Sequence, residues 1–578
     1  MTVAALLLVG GLALAYTAYQ VNRHLRDAQV AVSLLRADLV SPSAPAARIA
    51  AHLATVQRES AAARSLTDGP IWGAPAWLPG VGRPFVTVRG AADAVDDLAT
   101  EVLPDLRTVQ RSVVGGKLST GHGSIDLKPL VAAQQPLTQA TAATDRILGS
   151  VRVLPETSVG PVDSARTTLL SQVADLSQQL HTTRDAVDLL PAMLGAHGPR
   201  RYILAFENNA EARGLGGLPG AYAILRADGG KVSFERFGND GDFDGVTVPT
   251  KGLDADFLDH YQGSAVDRVF VNSTVSPHFP YAAQLMLRFW QAKTGERLDG
   301  AIATDPSALA MLLKVTGPTR LADGTQVSAA NVVALTERDA YARFADPAVR
   351  KLFLGEVAKA VAQTVLAHGP AHPADLGKAL GHAIGERRLV VYSSSAPEQR
   401  LLARYPVAGL LDDTDGLFSG VVINNGGGNK LDYYLKREVT YTAACSGQRP
   451  AATVTIKLTN TAPATGLSQY AAGSADPNQS GQPLGTSRLL VGYYATKGAH
   501  FSRPTLDGKP TFLTADTEHG RPVFTATIDI PAGATRTLVL HVEEPVAAGS
   551  GPVTTWVQPL VMPQVTHVKA AACAGRQP

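Results

Sequence analysis

Hydrophobic positions follow three regimes along the chain. From Val3 to Tyr19 they are continuous and uncharged. About 20 apolar residues cross a bilayer, so Thr2–Val21 predicts a transmembrane helix and residues 1–21 an anchor. From there to residue 198 apolar residues recur at helical spacing. Leu25, Ala28, Val32, Leu35 and Leu39 form one seam, broken by Ser41-Pro42-Ser43. A second helix is expected from Pro45 to Leu66, stopped by Asp68-Gly69-Pro70, then others over Ala91–Val114 and Leu130–Leu148. A longer one is capped by Asp163, carries Leu169, Val173, Leu176, Leu180, Val187 and Leu190 on one face, and ends at Gly195 and Gly198-Pro199. Residues 22–198 therefore read as a helical stalk.

From 199 to 395 strand-like and helix-like runs alternate, which predicts an α/β domain. Tyr202–Phe206, Ala221–Leu225, Lys231–Phe237, Phe270–Asn272 and Leu298–Ala303 are the expected strands. Tyr281–Lys293, Pro306–Lys314 and Pro347–Leu366 are the expected helices. Residues 396–578 change to short strands separated by Gly, Pro, Thr and Asn: Leu417–Asn424, Tyr433–Thr442, Ala452–Asn460, Leu489–Tyr494, Thr511–Leu513, Val523–Ile530 and Thr535–Val542. That spacing predicts an immunoglobulin-like β-sandwich. The fold class expected is multidomain α+β.

Composition sharpens this only a little. Of 578 residues 45% are hydrophobic and 18% charged, as in a globular chain. With 52 basic and 50 acidic residues the charge balance gives no electrostatic case for general nucleic-acid binding. The two cysteines, Cys445 and Cys573, flank the last β-rich segment and suit a disulfide in an oxidising compartment. Arg23 and Arg26 follow the apolar run, which by charge alone would keep the bulk of the chain inside. Long domains translocate regardless of modest flanking charge. With the cysteine pair, this gives an expected single-pass location with the bulk extracytoplasmic. Trp72 and Trp77 lie in a proline-rich loop, where packing inside the bundle competes with a membrane-interface position.

The richest stretch is RYILAFENNAEARGLGGLPGAYAIL, Arg201 to Leu225. Asn208, Asn209, Glu211 and Arg213 stand between two strands, with Gly214, Gly216, Gly217 and Gly220 opening the backbone. An arginine beside a glycine-rich turn suits an anion, through a planar guanidinium and exposed backbone N–H groups. The alternative is a tight turn held by local hydrogen bonds. Asp240-Gly-Asp242-Phe-Asp244-Gly245 has the first half of a calcium loop but Lys251 at its twelfth position, so an acidic turn is the better reading. There is no nucleophile elbow and no P-loop, so neither a serine hydrolase nor nucleotide use is indicated. The glycine-rich run from Asn424 to Lys430 suits close approach to the central domain.

RYILAFENNAEARGLGG resembles the signature of the domain-of-unknown-function family numbered four thousand and twelve, found in actinobacteria and firmicutes. VNSTVSPHFPYAAQLMLRFW, LDGAIATDPSALAMLLKVTGP and NNGGGNKLDYYL extend the resemblance from about Arg201 to Pro563. More distantly, the order of pieces is similar to the LytR-CpsA-Psr family, cell-wall glycopolymer transferases acting on polyprenyl pyrophosphate. That likeness implies an envelope protein that binds lipid-linked glycans, with transfer of the glycan left open. It implies Asn208, Asn209, Arg213, Gly216, Gly217, Arg236, Arg350 and Lys351 at the ligand, and Glu211 or Asp240 on Mg²⁺. That family's Asp after the first strand is here Asn208-Asn209, and its Arg-Asp motif has Arg236 and Asp240 as stand-ins. The competing expectation is a non-enzymatic scaffold or adhesin binding wall polymer or protein.

Overall fold

A computed structural model describes residues 2–40, 44–79, 81–113, 119–121, 124–368, 373–446, 449–475, 481–545 and 552–569. The chain forms two compact units, one of Met1–Thr120 with Ser124–Gly198, the other of Gly121–Gly123 with Pro199–Pro578.

The first unit is built from helices α1 (Thr2–Val40), α2 (Ala46–Asp68), α3 (Pro70–Ala76), α4 (Arg83–Asp97), α5 (Leu103–Val113), α6 (Lys128–Arg152) and α7 (Gly160–Met193). On α1 the buried seam is Val21, Ala28, Ala31 and Leu35, while Val32 is exposed. Ala31 packs with Val56 of α2, and Leu35 with Ile49 and Leu53. The inward stripe thus keeps Ala28 and Leu35 of the expected seam and takes Ala31 in place of Val32, and small alanines let the helices approach. Leu137, Ala140, Ile147 and Val151 of α6 meet Val173, Leu180 and Val187 of α7. Helix α7 starts at Gly160 with Pro161 in its first turn, ahead of the expected cap. The Asp163 carboxylate instead accepts from Thr157 N at 2.7 Å. Trp72 is buried, its indole N–H donating to Phe85 O at 2.9 Å, whereas Trp77 is 89% exposed.

The expected membrane anchor, and with it the single-pass location, is corrected. Among the described residues no helix is long and apolar enough to cross a membrane. The expected span, Thr2–Val21, amounts to ~30 Å of helix at 1.5 Å per residue, no more than the ~30 Å of hydrocarbon it would have to cross. Beyond it α1 goes straight into the packed seam that begins at Val21. Met1 and the side chains of residues 2–8 lie outside the described residues.

In the second unit, strands β1 (Arg200–Arg213), β2 (Gly216–Asp228), β3 (Lys231–Asn239), β4 (Gly300–Thr304) and β5 (Leu389–Ser393) lie side by side in the order β3-β2-β1-β4-β5. Only β1 and β4 are parallel neighbours. Alternate residues of β1 enter two cores, because side chains in a strand point to opposite faces. Ile203 and Ala205 join Phe257 of α8 (Ala255–His260) and Phe243, Phe270, Phe289 and Trp290 under helix α9 (Phe279–Thr294). Leu204 and Phe206 join Leu309 and Leu313 of α10 (Pro306–Thr316) and Val357 and Val361 of α11 (Pro347–His368). Phe270–Asn272, expected as a strand end, is a 3-10 turn, because Phe270 drops into the aromatic core beside Phe243, 4.2 Å between ring centroids.

The rest of this unit is a β-sandwich. Its strands are β6 (Phe418–Asn425), β7 (Leu435–Ser446), β8 (Arg449–Asn460), β9 (Ser487–Ala495), β10 (His500–Leu506), β11 (Lys509–Pro510), β12 (Thr514–Glu518), β13 (Arg521–Ile530), β14 (Thr535–Glu543), β15 (Thr554–Val557) and β16 (Gln564–Lys569). One sheet runs β12-β13-β9-β6-β15 and the other β11-β10-β14-β8-β7-β16. Ile423, Val491 and Ile528 from the first meet Val439, Ile456 and Leu540 from the second. The expected strand Thr511–Leu513 is not one; the chain there links β11 to β12. The expected Cys445–Cys573 disulfide lies outside the described residues.

One strand belongs to both halves of this unit. β1 is 14 residues long, and while Ile203 and Leu204 sit in the α/β cores, Ala212 sits in the sandwich core.

Candidate functional site

The far end of the β1–β2 hairpin carries the signature residues, and its register slips between Asn208 and Ala212. That slip releases backbone N–H groups from the ladder, and buried N–H groups must find other acceptors. Those of Asn209, Ala210 and Ala212 find theirs inside the protein. Asn209 N and Ala210 N donate to the Glu337 carboxylate, and Ala212 N donates to Asp432 Oδ2 at 2.8 Å. Gly214 N donates to Asn424 Oδ1 at 2.9 Å and Gly217 N to Glu207 Oε2 at 3.1 Å. Backbone N–H groups of the stretch expected to hold an anion are therefore taken up by the protein's own carboxylates and amides.

The side chains are engaged in the same way. Glu211 accepts from Arg213 Nη2 at 3.0 Å and from Lys430 Nζ, all three being buried. Burial alone would raise the Glu211 pKa, but the Lys430 and Arg213 charges overcome that and hold it below the usual carboxylate value. Asn208 Nδ2 donates to the Tyr341 hydroxyl, and Asn209 Nδ2 to Pro559 O at 2.9 Å. Arg350 is buried, its guanidinium 3.9 Å from the Tyr470 ring and 5.0 Å from that of Tyr341, with Nη1 donating to Phe344 O. Gln558 closes the junction, donating to Arg213 O at 2.6 Å and to Ile423 O at 2.8 Å.

Glycine is required at two of these positions by close approach. A Cβ on Gly214 would run into the Val275 carbonyl, and one on Gly217 into the Asn208 backbone. Gly217→Ala is accordingly expected to lower stability by about 1–3 kcal/mol or more, read from the urea midpoint of the second unit. An unchanged midpoint would contradict this packing.

Several carboxyls here are buried without a full set of cations. Burial pushes Glu337 up to about 8 and Asp432 up to about 6, and raises Glu207 well above its ordinary value. Glu337, Lys430, Asp432 and Gln558 were not among the residues expected at the site. Lys430 ends the run Asn424–Lys430 and Asp432 comes just after it, and the glycines of that run were the available signal. Glu337 and Gln558 carry none.

The remaining candidates gather elsewhere. Arg236 and Lys351 line a groove of about 740 Å³ between β3 and α11. Lys351 Nζ lies 2.9 Å from Asp240, and Arg236 lies 3.7 Å from Asp242 and over the Trp290 ring at 5.6 Å. Lys359 adds a third cation, and Phe234, Phe237, Leu352 and Leu366 an apolar lining. The acids on the wall have partners of their own, Glu235 with Arg201 at 2.7 Å and Glu356 with Lys359 at 3.6 Å.

The residues do not fit the Mg²⁺ site implied by the distant resemblance. Glu211 and Asp240 belong to different places and each faces a lysine. Among the described residues no group of three or more His, Cys, Asp or Glu is arranged to hold a metal ion.

No curated protein and no solved structure matches the chain. The stretch that matches a family model is residues 197–341, from just before β1 to Tyr341, and it contains both the hairpin and Glu337. The family that this stretch resembles is described as a protein of unknown function (DUF4012).

Proposed function

We propose that this protein binds a polyprenyl-pyrophosphate-linked glycan through the groove between β3 and α11. The observation that carries the reading is the pairing, in one groove of about 740 Å³, of Arg236, Lys351 and Lys359 with Phe234, Phe237, Leu352 and Leu366. A lipid pyrophosphate needs cations for its head and apolar surface for its tail, and both line this groove. The present partners of the cations are exchangeable. Arg236 is 51% exposed in its side chain and sits 3.7 Å from Asp242, a pairing worth little in water. The class of ligand comes from the likeness in piece order to the LytR-CpsA-Psr transferases. Binding, not transfer, is the function proposed, because Glu211, Glu337 and Asp432 already face internal donors.

Farnesyl diphosphate, a short polyprenyl pyrophosphate, tests the reading by calorimetry or by Trp290 fluorescence. It is expected to bind more tightly than either farnesol or inorganic pyrophosphate. Lys351→Ala and Arg236→Ala are each expected to weaken it about ten-fold or more, the size of a charge-assisted hydrogen bond. If the double variant binds as the parent does, the groove is not the site.

A second reading, a non-enzymatic scaffold, draws on the junction, where the signature residues hold the hairpin against the sandwich. It predicts no affinity for farnesyl diphosphate at all.

A further inference from the structure

We infer that a second cavity, beside Arg213, is a binding site for a small organic carboxylate. Its volume is about 370 Å³, within the usual range for small-ligand sites. Arg213, Ser264, Asn272, Asn424 and Gly426–Gly428 line it, so both halves of the second unit contribute. Among the described residues Arg213 is the only charged group on its wall.

The cavity has fixed walls and few groups left for recognition. Asn272 Nδ2 donates to Ser264 O at 2.7 Å, and Asn424 Nδ2 to Val275 O at 3.1 Å. Asn425 Oδ1 accepts from both Gly427 N and Gly428 N. These amides are occupied in holding the loops together. Recognition then falls to the Arg213 guanidinium and the Ser264 hydroxyl. Arg213 is only 7% exposed, and it donates through Nε to Asn272, through Nη1 to Ala212 O and through one Nη2 hydrogen to Glu211. Its other Nη1 hydrogen has only a 3.5 Å contact with Asn425 O, at the limit of a hydrogen bond. A guanidinium offers five N–H donors, so a ligand that accepts is favoured over one that donates.

Charge separates a carboxylate from a phosphate ester. The Arg213 charge is already shared with Glu211, which suits a singly charged ligand. A pyrophosphate would bring more negative charge than one partly balanced cation can meet. Val275 and Leu490, with the glycine backbone, leave apolar wall for the carbon part of the ligand.

Ligand-observed NMR on the full chain tests this with sodium butyrate, its neutral isostere butyramide, and N-acetylglucosamine. Butyrate is expected to show saturable binding at least ten-fold tighter than butyramide. Gly263 lies on the cavity wall and a Cβ there would meet nothing within 4 Å, so Gly263→Phe is expected to block the cavity and abolish butyrate binding. Ser264→Ala is expected to weaken it several-fold and covers the case in which Gly263→Phe does not fold. Lys351→Ala, in the groove, is expected to leave butyrate binding intact, and Gly263→Phe to leave farnesyl diphosphate binding intact, so the two sites stand or fall separately. Equal binding of butyrate and butyramide, tighter binding of N-acetylglucosamine, or butyrate binding that survives both cavity variants would overturn the assignment.

Discussion

Urea unfolding of the second unit is expected to need more denaturant at pH 6 than at pH 8. The cause is the set of carboxyls that burial has raised. Glu337 is pushed up to about 8, Glu518 up to about 7 and Asp432 up to about 6, and Glu207 is raised well above its ordinary value. In the unfolded chain all four return to roughly 4. Between that value and its folded one, each group holds a proton when folded and not when unfolded. Its contribution is therefore fully present below the unfolded value and is lost as pH rises through the folded one.

Buried His278 and partly buried His260 work the other way. Burial lowers His278 to about 3 and lowers His260, so both oppose the gain once pH falls below ~6.5. Glu211, held below its ordinary value, costs stability only on further acidification. The net gain from pH 8 to pH 6 is expected to be on the order of 2–4 kcal/mol. Fluorescence of Trp290 and Trp556, both buried, reports it in a Trp72→Phe/Trp77→Phe background. A midpoint that is flat, or that falls, between the two pH values would mean that these carboxyls are not held as protonated acids.

Lys430→Ala is expected to be the most damaging single substitution at the junction. It removes the ammonium that shares Glu211 with Arg213, in a cluster where all three groups are buried. Breaking a buried ion pair by deleting one partner costs about 3–5 kcal/mol, because the other charge is left poorly compensated. Adding Glu211→Gln to Lys430→Ala is expected to recover part of that loss, since the stranded carboxylate is gone. If the double variant were less stable than the single one by the full cost of a second independent mutation, the two residues would not be acting as a pair. Lys351→Ala, a half-exposed lysine at the groove, is the control and is expected to change stability by less than about 1 kcal/mol.

What could be read in the sequence depended on whether a residue's partner lay nearby. Strand limits did well where apolar alternation is local. Expected Val523–Ile530 is observed as Arg521–Ile530, and expected Thr535–Val542 as Thr535–Glu543. Asn208 to Gly217 stood out as polar side chains among glycines, and in the structure they form a buried, internally hydrogen-bonded junction. Its function was not legible, because the polar residues that looked ready for a ligand are met by groups far along the chain, Glu337, Lys430 and Gln558. A single sequence shows that a carboxylate exists at 337 but not that it turns toward Asn209. The same limit explains Arg350, which read as a free clamp and lies stacked on Tyr470. The apolar run at the start of α1 misled for another reason. Hydropathy reports composition alone: among the described residues Val9, Leu12, Tyr16 and Tyr19 are exposed, and the same helix passes straight into the packed seam that begins at Val21.

The hydrogen bond from Asn209 to Pro559 O joins residues 350 apart in sequence. During synthesis the signature hairpin therefore emerges long before the segment that seals it. At about 5–20 residues per second, the interval between them is roughly 20–70 s. Throughout that time Asn209 and the Arg213 carbonyl lack their Pro559 and Gln558 partners, and Glu211 lacks Lys430 for most of it. A nascent chain stalled before residue 558 should thus be open to proteolysis at the hairpin, and release of the last segment should close it.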